Sequence, residues 1–241
     1  MKDGPKIICP RRLLSFGPNG YSEHHKNIVQ LLCETAGFTK GSRIDFWTEL
    51  SLNFRQDSLK FQYRLDYLLR EILPDGQYGP PIIVEIMTCS TSGGNKAYGT
   101  DIQTAFRKSL LANQGDAIDC PGINIRQVWA RMASQLIVKS EAALAWGGKT
   151  IWVVQDTLTK YMANNTGLEL DKMQSGVANE VNIIAGSGGS SLIPILYSGP
   201  ISGAMIADAS FSDILRAPFL PSKEAFLKKV SAAPAGSFEA P

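Results

Sequence analysis

The chain has 241 residues, of which 44% are hydrophobic and 19% charged, and its formal net charge is +2. This composition is typical of a globular protein with a substantial core and excludes a disordered chain. A nearly neutral chain gives no global electrostatic argument for nucleic acid, so any DNA-binding surface has to be local. The length fits one large domain, and we expect a single domain over residues 1–241.

The sequence contains no obvious membrane or secretion signal. No stretch approaches the roughly 20 apolar residues that cross a bilayer, and MKDGPKIICPRR lacks the apolar region of a signal peptide. We therefore expect an intracellular protein, cytoplasmic in a bacterium, with no membrane partner. Its four cysteines, Cys9, Cys33, Cys89 and Cys120, form no CxxC pair, which favours free thiols over a zinc ribbon or a disulfide framework.

The first elements in chain order are a helix and three strands. Residues 22–36 begin with a capping Ser22, carry apolar residues at helical spacing and precede Gly37, which predicts a short helix. The segments RIDFWTELSLNF and LKFQYRLDYLL alternate apolar and polar residues around RQDS, which predicts a hairpin. The apolar run PPIIVEIMT predicts a third, buried strand, and together the three form an antiparallel meander.

The later elements alternate between helices and strands. Helical patterns cover residues 101–113 and 124–146, and KTIWVVQD at 149–156 predicts a strand. Beyond residue 157 we expect short strands in EVNIIAG and SLIPILYSG, a helix in SKEAFLKKV and a frayed tail at 231–241. This order predicts an α/β (α+β) fold with a mixed central sheet flanked by helices.

Glu85 is an acidic residue inside the apolar third strand, where an ionised carboxylate is costly unless it is paired, hydrogen-bonded or bound to a metal. Strand alternation brings Glu85, Asp66 and Glu49 to one sheet face if the three strands pair side by side. Three neighbouring carboxylates repel one another unless a cation binds or their pKa values rise, and oxygen ligands suit Mg²⁺. The simpler alternative is a solvated sheet face on which the acids pair with Arg64 or a lysine.

The element order, with YRLDYLL followed by PPIIVEIMT, resembles the core of the PD-(D/E)XK nucleases over residues 22–156. The phrase VEIMT with the upstream WTELSLNF and RLDYLL resembles the type II restriction endonucleases of the NotI type. The resemblance implies a homodimer that cuts a palindromic site in double-stranded DNA with Mg²⁺ as cofactor. It also implies that Asp66 and Glu85 bind the metal, while Glu49 orients a water or supports a second ion.

The chain departs from the family pattern at two points. The position of the signature lysine is Met87, which can neither donate a proton nor carry a positive charge. NotI-type enzymes also resemble one another in a four-cysteine iron site, and the cysteine spacing here does not match such a site. We therefore expect no structural metal.

The long helix offers a replacement for the missing cation. Five of its residues share one stripe at i, i+4, i+7, i+11 and i+14: Val128, Met132, Gln135, Lys139 and Ala142. Because this stripe is largely apolar, we expect it to face the sheet, with Lys139 supplying charge to the phosphorane and Gln135 positioning it. The alternative for Lys139 is a side chain that snorkels at the helix edge.

Contacts to DNA are expected from several parts of the chain. Lys96, in the glycine-rich loop TCSTSGGNKAYGT, and Lys108 are expected to contact DNA and are also alternative sources of the missing cation. Base recognition is expected from residues 157–230, with Lys160 and Asn164 as predicted contacts. The same chemistry is offered there by Asn165, Lys172, Gln174, Asn179 and Asn182.

Two other functions stay open at this stage. Met87 also fits a non-catalytic DNA-binding protein on a nuclease scaffold, which would bind DNA without cutting it in Mg²⁺. A small-molecule-binding or structural protein with merely solvated strand faces would show no affinity for DNA at low salt.

Overall fold

A computed structural model describes residues 9–92, 94, 96–99, 101–113, 121–166, 181–186, 194–199 and 221–240. The helices are α1 (Lys26–Ala36), α2 (Ile102–Leu111), α3 (Ile125–Ala145), α4 (Asp156–Thr166) and α5 (Lys223–Ser231). The strands are β1 (Phe16–Gly17), β2 (Gly20–Tyr21), β3 (Arg43–Gln56), β4 (Leu59–Glu71), β5 (Ile82–Met87), β6 (Thr91–Ser92), β7 (Gly122–Ile123), β8 (Lys149–Gln155), β9 (Val181–Gly186), β10 (Ile195–Gly199) and β11 (Gly236–Glu239). Short 3₁₀ helices cover Pro10–Arg12, Glu23–His25 and Lys96–Tyr98.

Seven strands form one mixed sheet in the order β10, β9, β8, β5, β4, β3, β11. β3, β4 and β5 are the predicted antiparallel meander, and β5, β8 and β9 run parallel to one another. Parallel neighbours need a crossover connection, and α2 and α3 lie in the connection between β5 and β8. The prediction of a mixed sheet flanked by helices is therefore confirmed.

Local capping explains where the predicted helices begin and end. Asn124 accepts a hydrogen bond from the backbone N–H of Gln127 at 3.1 Å and so begins α3. Asp101 accepts from two backbone N–H groups in the first turn of α2 in the same way. α1 ends at Gly37, whose φ of 81° is the left-handed conformation that glycine adopts without steric cost.

The two faces of the sheet bury different clusters. Ile82, Val84 and Ile86 of β5 pack on the side of α1, and Ile83 packs on the opposite side against Trp146 at the end of α3. Met87 joins a third cluster with Met132, farther toward the start of α3. α3 thus runs antiparallel along β5, and its stripe of buried residues faces the side of β5 that carries Glu85.

One expectation for the later part of the chain is wrong, and one helix was not predicted. Residues 236–239 are not a frayed tail, because they form β11, which pairs with the start of β3. Phe238 is the reason: its ring stacks on Phe16 with centroids 5.1 Å apart and is buried against the α1 side of the sheet. The helix α4, which follows β8 without a loop, was also not predicted.

The remaining general features concern the cysteines and membranes. Cys9, Cys33 and Cys89 are not in disulfide bonds, and Cys120 lies outside the described residues. Among the helices that the structure describes, none combines the length and the apolar character needed to cross a membrane.

Candidate active site

The candidate site lies where β4 and β5 separate, at Asp66 on β4 and Glu85 on β5; we call this pair of positions the strand fork. Regular pairing of the two strands covers Leu69 to Tyr67 and stops there. At the next position, side-chain carboxylates instead of backbone carbonyls accept hydrogen bonds from the backbone N–H groups. The backbone N–H of Ile86 donates to Asp66 Oδ2 at 2.8 Å, and that of Asp66 lies 3.4 Å from Glu85 Oε1. Each carboxylate is therefore directed to the backbone of the other strand, which brings the two acidic residues together at one point of the sheet.

Lys139 of α3 reaches the same point from the helix layer. Its Nζ donates a hydrogen bond to Glu85 Oε2 at 2.5 Å, and the two side chains are 10% and 2% exposed. The position of Lys139 on a sheet-facing stripe is thus as expected, and the side chain does not snorkel to solvent. A buried ion pair of this kind is costly to desolvate and is weak evidence of stabilisation, so its presence favours a functional reason.

Electrostatics at the fork hold Glu85 close to a change of protonation state. Burial raises the pKa of Glu85 to about 7, against the lowering effect of the Lys139 ammonium. The nearby charge of Asp66 adds to the increase in this pKa. At neutral pH the carboxylate is therefore available to a cation, but it is not fully ionised without one.

Glu49 does not join the other two carboxylates, so the expected three-acid cluster is not formed. Its side chain is 80% exposed and lies 3.6 Å from the guanidinium of Arg11. The physical reason is its backbone, whose φ of 50° interrupts the alternation of β3, so that Trp47 and Leu50 pack in the same cluster. Strict alternation, on which the prediction depended, fails at this residue.

Met87 occupies the position of the signature lysine and is 7% exposed among apolar side chains that include Val128 and Met132. This environment suits a thioether and would be unfavourable for an ammonium group. The positive charge of the site is carried by α3 instead of β5. Gln135, one turn before Lys139 on that helix, is half-buried.

The predicted DNA contacts lie on other elements than the strands of the fork. Lys108 is exposed on α2, and Lys160 is exposed on α4, where it pairs with Asp156 at 3.2 Å. Lys96 lies in a 3₁₀ helix and Asn164 in α4, and the side chains of both lie outside the described part of the structure. Asn165 also lies in α4, and its side chain is likewise outside the described part of the structure. Lys172, Gln174 and Asn179 lie outside the described residues altogether.

Asn182 was among the polar residues whose chemistry could read bases, and the structure shows that it is not available for this. It is buried in β9, where its amide donates to Thr150 O at 3.1 Å and its oxygen accepts from Ser198 Oγ at 2.8 Å. These bonds satisfy the amide within the sheet, so Asn182 has a structural role.

The two carboxylates of the strand fork have oxygen atoms available to bind Mg²⁺. Asp66 uses one oxygen for the backbone of Ile86, and among the described residues Glu85 Oε1 makes only the long contact, so both carboxylates keep acceptor capacity. In the described part of the chain, no group of three or more His, Cys, Asp or Glu side chains is placed to hold a metal. Two carboxylates are nevertheless enough for Mg²⁺, which commonly keeps several waters and binds substrate phosphate.

Comparisons with known proteins do not identify a family. No protein-family model matches the chain, and no curated protein matches its sequence. The geometry of the fork is therefore the observation from which a function can be inferred.

The raised pKa of Glu85 predicts a pH dependence of stability. The native state retains a proton between pH 4.5 and about 7 that the unfolded state has released, so the free energy of unfolding falls as pH rises through this window. The fall attributable to Glu85 is about 3 kcal/mol, and Glu85→Gln lacks it. Urea unfolding in EDTA across this pH range measures the difference.

The matched control is Glu34→Gln, which removes an exposed carboxylate on α1 and keeps the wild-type pH profile. Wild-type and Glu85→Gln profiles that run parallel from pH 4.5 to 7 would contradict a raised pKa at Glu85.

Proposed function

We propose that the chain is a Mg²⁺-dependent endonuclease of the PD-(D/E)XK type, a type II restriction endonuclease that hydrolyses DNA at a palindromic duplex site. The observation that supports it is the contact of Asp66, Glu85 and Lys139 at the strand fork. Two carboxylates and one ammonium at one point are the groups that metal-assisted phosphodiester hydrolysis requires. A restriction role would place the protein with DNA in the bacterial cytoplasm.

Each residue of the fork has a distinct task in this proposal. Asp66 and Glu85 would hold Mg²⁺, with the backbone N–H of Ile86 fixing the orientation of the Asp66 carboxylate. When bound, Mg²⁺ lowers the pKa of water and polarises the scissile phosphate. Glu85 must be ionised for this role, so binding of the metal requires release of its proton.

Lys139 supplies the positive charge that Met87 cannot. Its ammonium neutralises Glu85 in the free protein, and it has further N–H donors for a phosphate oxygen as negative charge develops there. Donors of this kind typically contribute about 10²- to 10³-fold to the rate when they are fixed in place. Gln135 lies one turn away on α3 and would position the Lys139 side chain or the phosphate.

Substitutions at the fork separate cleavage from binding. Asp66→Ala and Glu85→Ala should lose Mg²⁺-dependent cleavage, because each removes a metal-binding carboxylate, while affinity for duplex DNA remains. Lys139→Met should lower the cleavage rate by about 10²- to 10³-fold. Cleavage of plasmid DNA and binding to a labelled duplex are measured on the same preparations.

Glu34→Ala is the control for loss of a carboxylate outside the fork and should cut like the wild type. Full cleavage by Asp66→Ala or Glu85→Ala would contradict the metal site. If only Lys139→Met cuts at the wild-type rate, the metal site is not contradicted. The catalytic cation would then have to be Lys96 or Lys108.

A non-catalytic DNA-binding protein is the second candidate, and the burial of Met87 favours it. An apolar side chain at 7% exposure shows that β5 itself is not built to carry the lysine of the signature. This candidate requires that Lys139 does not replace the missing group. Binding to duplex DNA without any cutting in Mg²⁺ distinguishes it.

A homodimer is the assembly that matches a palindromic site, and α2 offers a surface for a second copy. Ile102, Phe106 and Leu110 lie on one stripe at i, i+4 and i+8 and are 41%, 61% and 68% exposed. Tyr98 and Leu111 extend the patch and are 81% and 87% exposed. A two-fold interface pairs such a patch with itself and would bury several hundred of the roughly 800 Å² that each partner contributes.

Phe106→Glu should convert the dimer to a monomer, because two facing carboxylates would be buried at the two-fold axis. The molar mass in solution is measured by light scattering. Gln30→Glu, which adds the same charge at an exposed position on α1, should leave the mass of a dimer unchanged. An unchanged mass for Phe106→Glu would exclude this surface as the dimer interface.

A further inference from the structure

Beyond the strand fork, β3 and β4 continue as a pair, and no third strand among the described residues joins them. β4 pairs with β5 only from Tyr67 to Leu69, and β11 pairs with β3 only from Arg43 to Phe46. Within the part of the chain that the structure describes, residues 50–56 and 59–65 therefore form a two-stranded ribbon, which we call the β3–β4 ribbon. Its base is one residue from Asp66.

One face of the β3–β4 ribbon is fixed to the body of the protein. Its apolar side chains share a buried cluster with α3 and α5: Leu50, Leu52, Phe54, Tyr63 and Leu65. Trp146 of α3 and Phe226 of α5 stack at the centre of that cluster with ring centroids 4.0 Å apart. The ribbon is thus packed against the body of the protein through this apolar face.

The other face of the ribbon is exposed and basic. Its six side chains form three cross-strand pairs: Ser51 with Arg64, Asn53 with Gln62, and Arg55 with Lys60. All six are exposed, three are cationic and none is acidic. This composition stands out in a chain whose formal net charge is only +2, because it concentrates positive charge at one place.

Hydrogen bonds organise these side chains before any ligand binds. Gln62 Nε2 donates to Ser51 Oγ at 2.8 Å and to Asn53 Oδ1 at 3.0 Å. Gln62 Oε1 accepts from Arg64 Nε at 3.1 Å. Gln62 is thereby committed within the face and is a positioning residue. The bond from Nε leaves the two terminal nitrogens of the Arg64 guanidinium to make further contacts.

We propose that this basic face of the β3–β4 ribbon is the surface that enters the major groove of duplex DNA, with Arg64 contacting a base edge. The inference rests on the proposed nuclease function, and it gives the fork a recognition element on the same strand. The major groove admits a two-stranded ribbon, and a guanidinium pairs with the two acceptors of guanine in that groove. Arg55 and Lys60, toward the tip, contact phosphates.

The position of the ribbon connects recognition to chemistry. Arg64 and Asp66 are two residues apart on β4, which corresponds to about 7 Å along a strand. A base contact at Arg64 would therefore fix which phosphate of the DNA backbone reaches the fork. This surface differs from the expected source of base contacts in residues 157–230, where Asn182 is internal.

The test measures binding of the full chain to a random-sequence duplex DNA library with Ca²⁺ in place of Mg²⁺, followed by sequencing of the bound fraction. Arg64→Ala should weaken binding to the selected sequence by about 5- to 150-fold and relax the preference at one base pair. The double variant Arg55→Ala and Lys60→Ala should weaken binding to all sequences and lower the slope of affinity against salt by about 2.

Lys40→Ala is the control, because Lys40 is an exposed cation beside the opposite end of β3. All these positions are exposed, and thermal unfolding checks that each variant folds. Ribbon variants that bind and select DNA exactly as Lys40→Ala does would overturn the inference and leave the nuclease function intact. A wild-type chain that binds no duplex DNA at low salt, or binds duplex RNA more tightly, would overturn both.

Discussion

The separation of β4 from β5 at Asp66 and Glu85 is the constraint on which the rest of the site depends. While the strands are paired, their backbone groups bond to each other, and side chains on this sheet face can pack only against α3. At the fork the backbone of Ile86 bonds to the Asp66 carboxylate instead. The Asp66 carboxylate is thereby fixed on the β5 backbone, at the residue that follows Glu85. The backbone N–H groups at the fork bond to the two acids instead of to the neighbouring strand, and this positions the acids.

The helix α3 completes the fork because it runs antiparallel along β5. Trp146, Lys139 and Met132 contact or share clusters with Ile83, Glu85 and Met87 in turn. The apolar contacts at both ends fix the helix, and the ammonium of Lys139 meets the carboxylate of Glu85 between them. Because Lys139 places a positive charge here from α3, no lysine is needed on β5. Met87 can therefore pack in the core. The buried pair has a cost in desolvation that packing on either side offsets.

Much of this arrangement could be predicted from residue patterns, and the failures have specific physical causes. Glu85 is isolated in an apolar strand, and Lys139 lies at helical spacing on a sheet-facing stripe. These two patterns predicted that both residues belong to one site. Glu49 was misplaced because a left-handed φ at a non-glycine residue has no signal in alternation. β11 was missed because a short edge strand depends on a distant partner, in this case the rings around Phe238. The polar face of the ribbon could be predicted from alternation, but the absence of a third strand beside it among the described residues could not.

The decisive experiment for a hydrolytic site at the fork is digestion of a mixed set of bacterial and phage DNAs by the purified protein, in Mg²⁺ and in EDTA, with sequencing of the ends. We expect discrete ends that depend on Mg²⁺ and share a palindrome. DNA that is bound but never cut in Mg²⁺ would contradict the assignment of Asp66, Glu85 and Lys139 as a hydrolytic site.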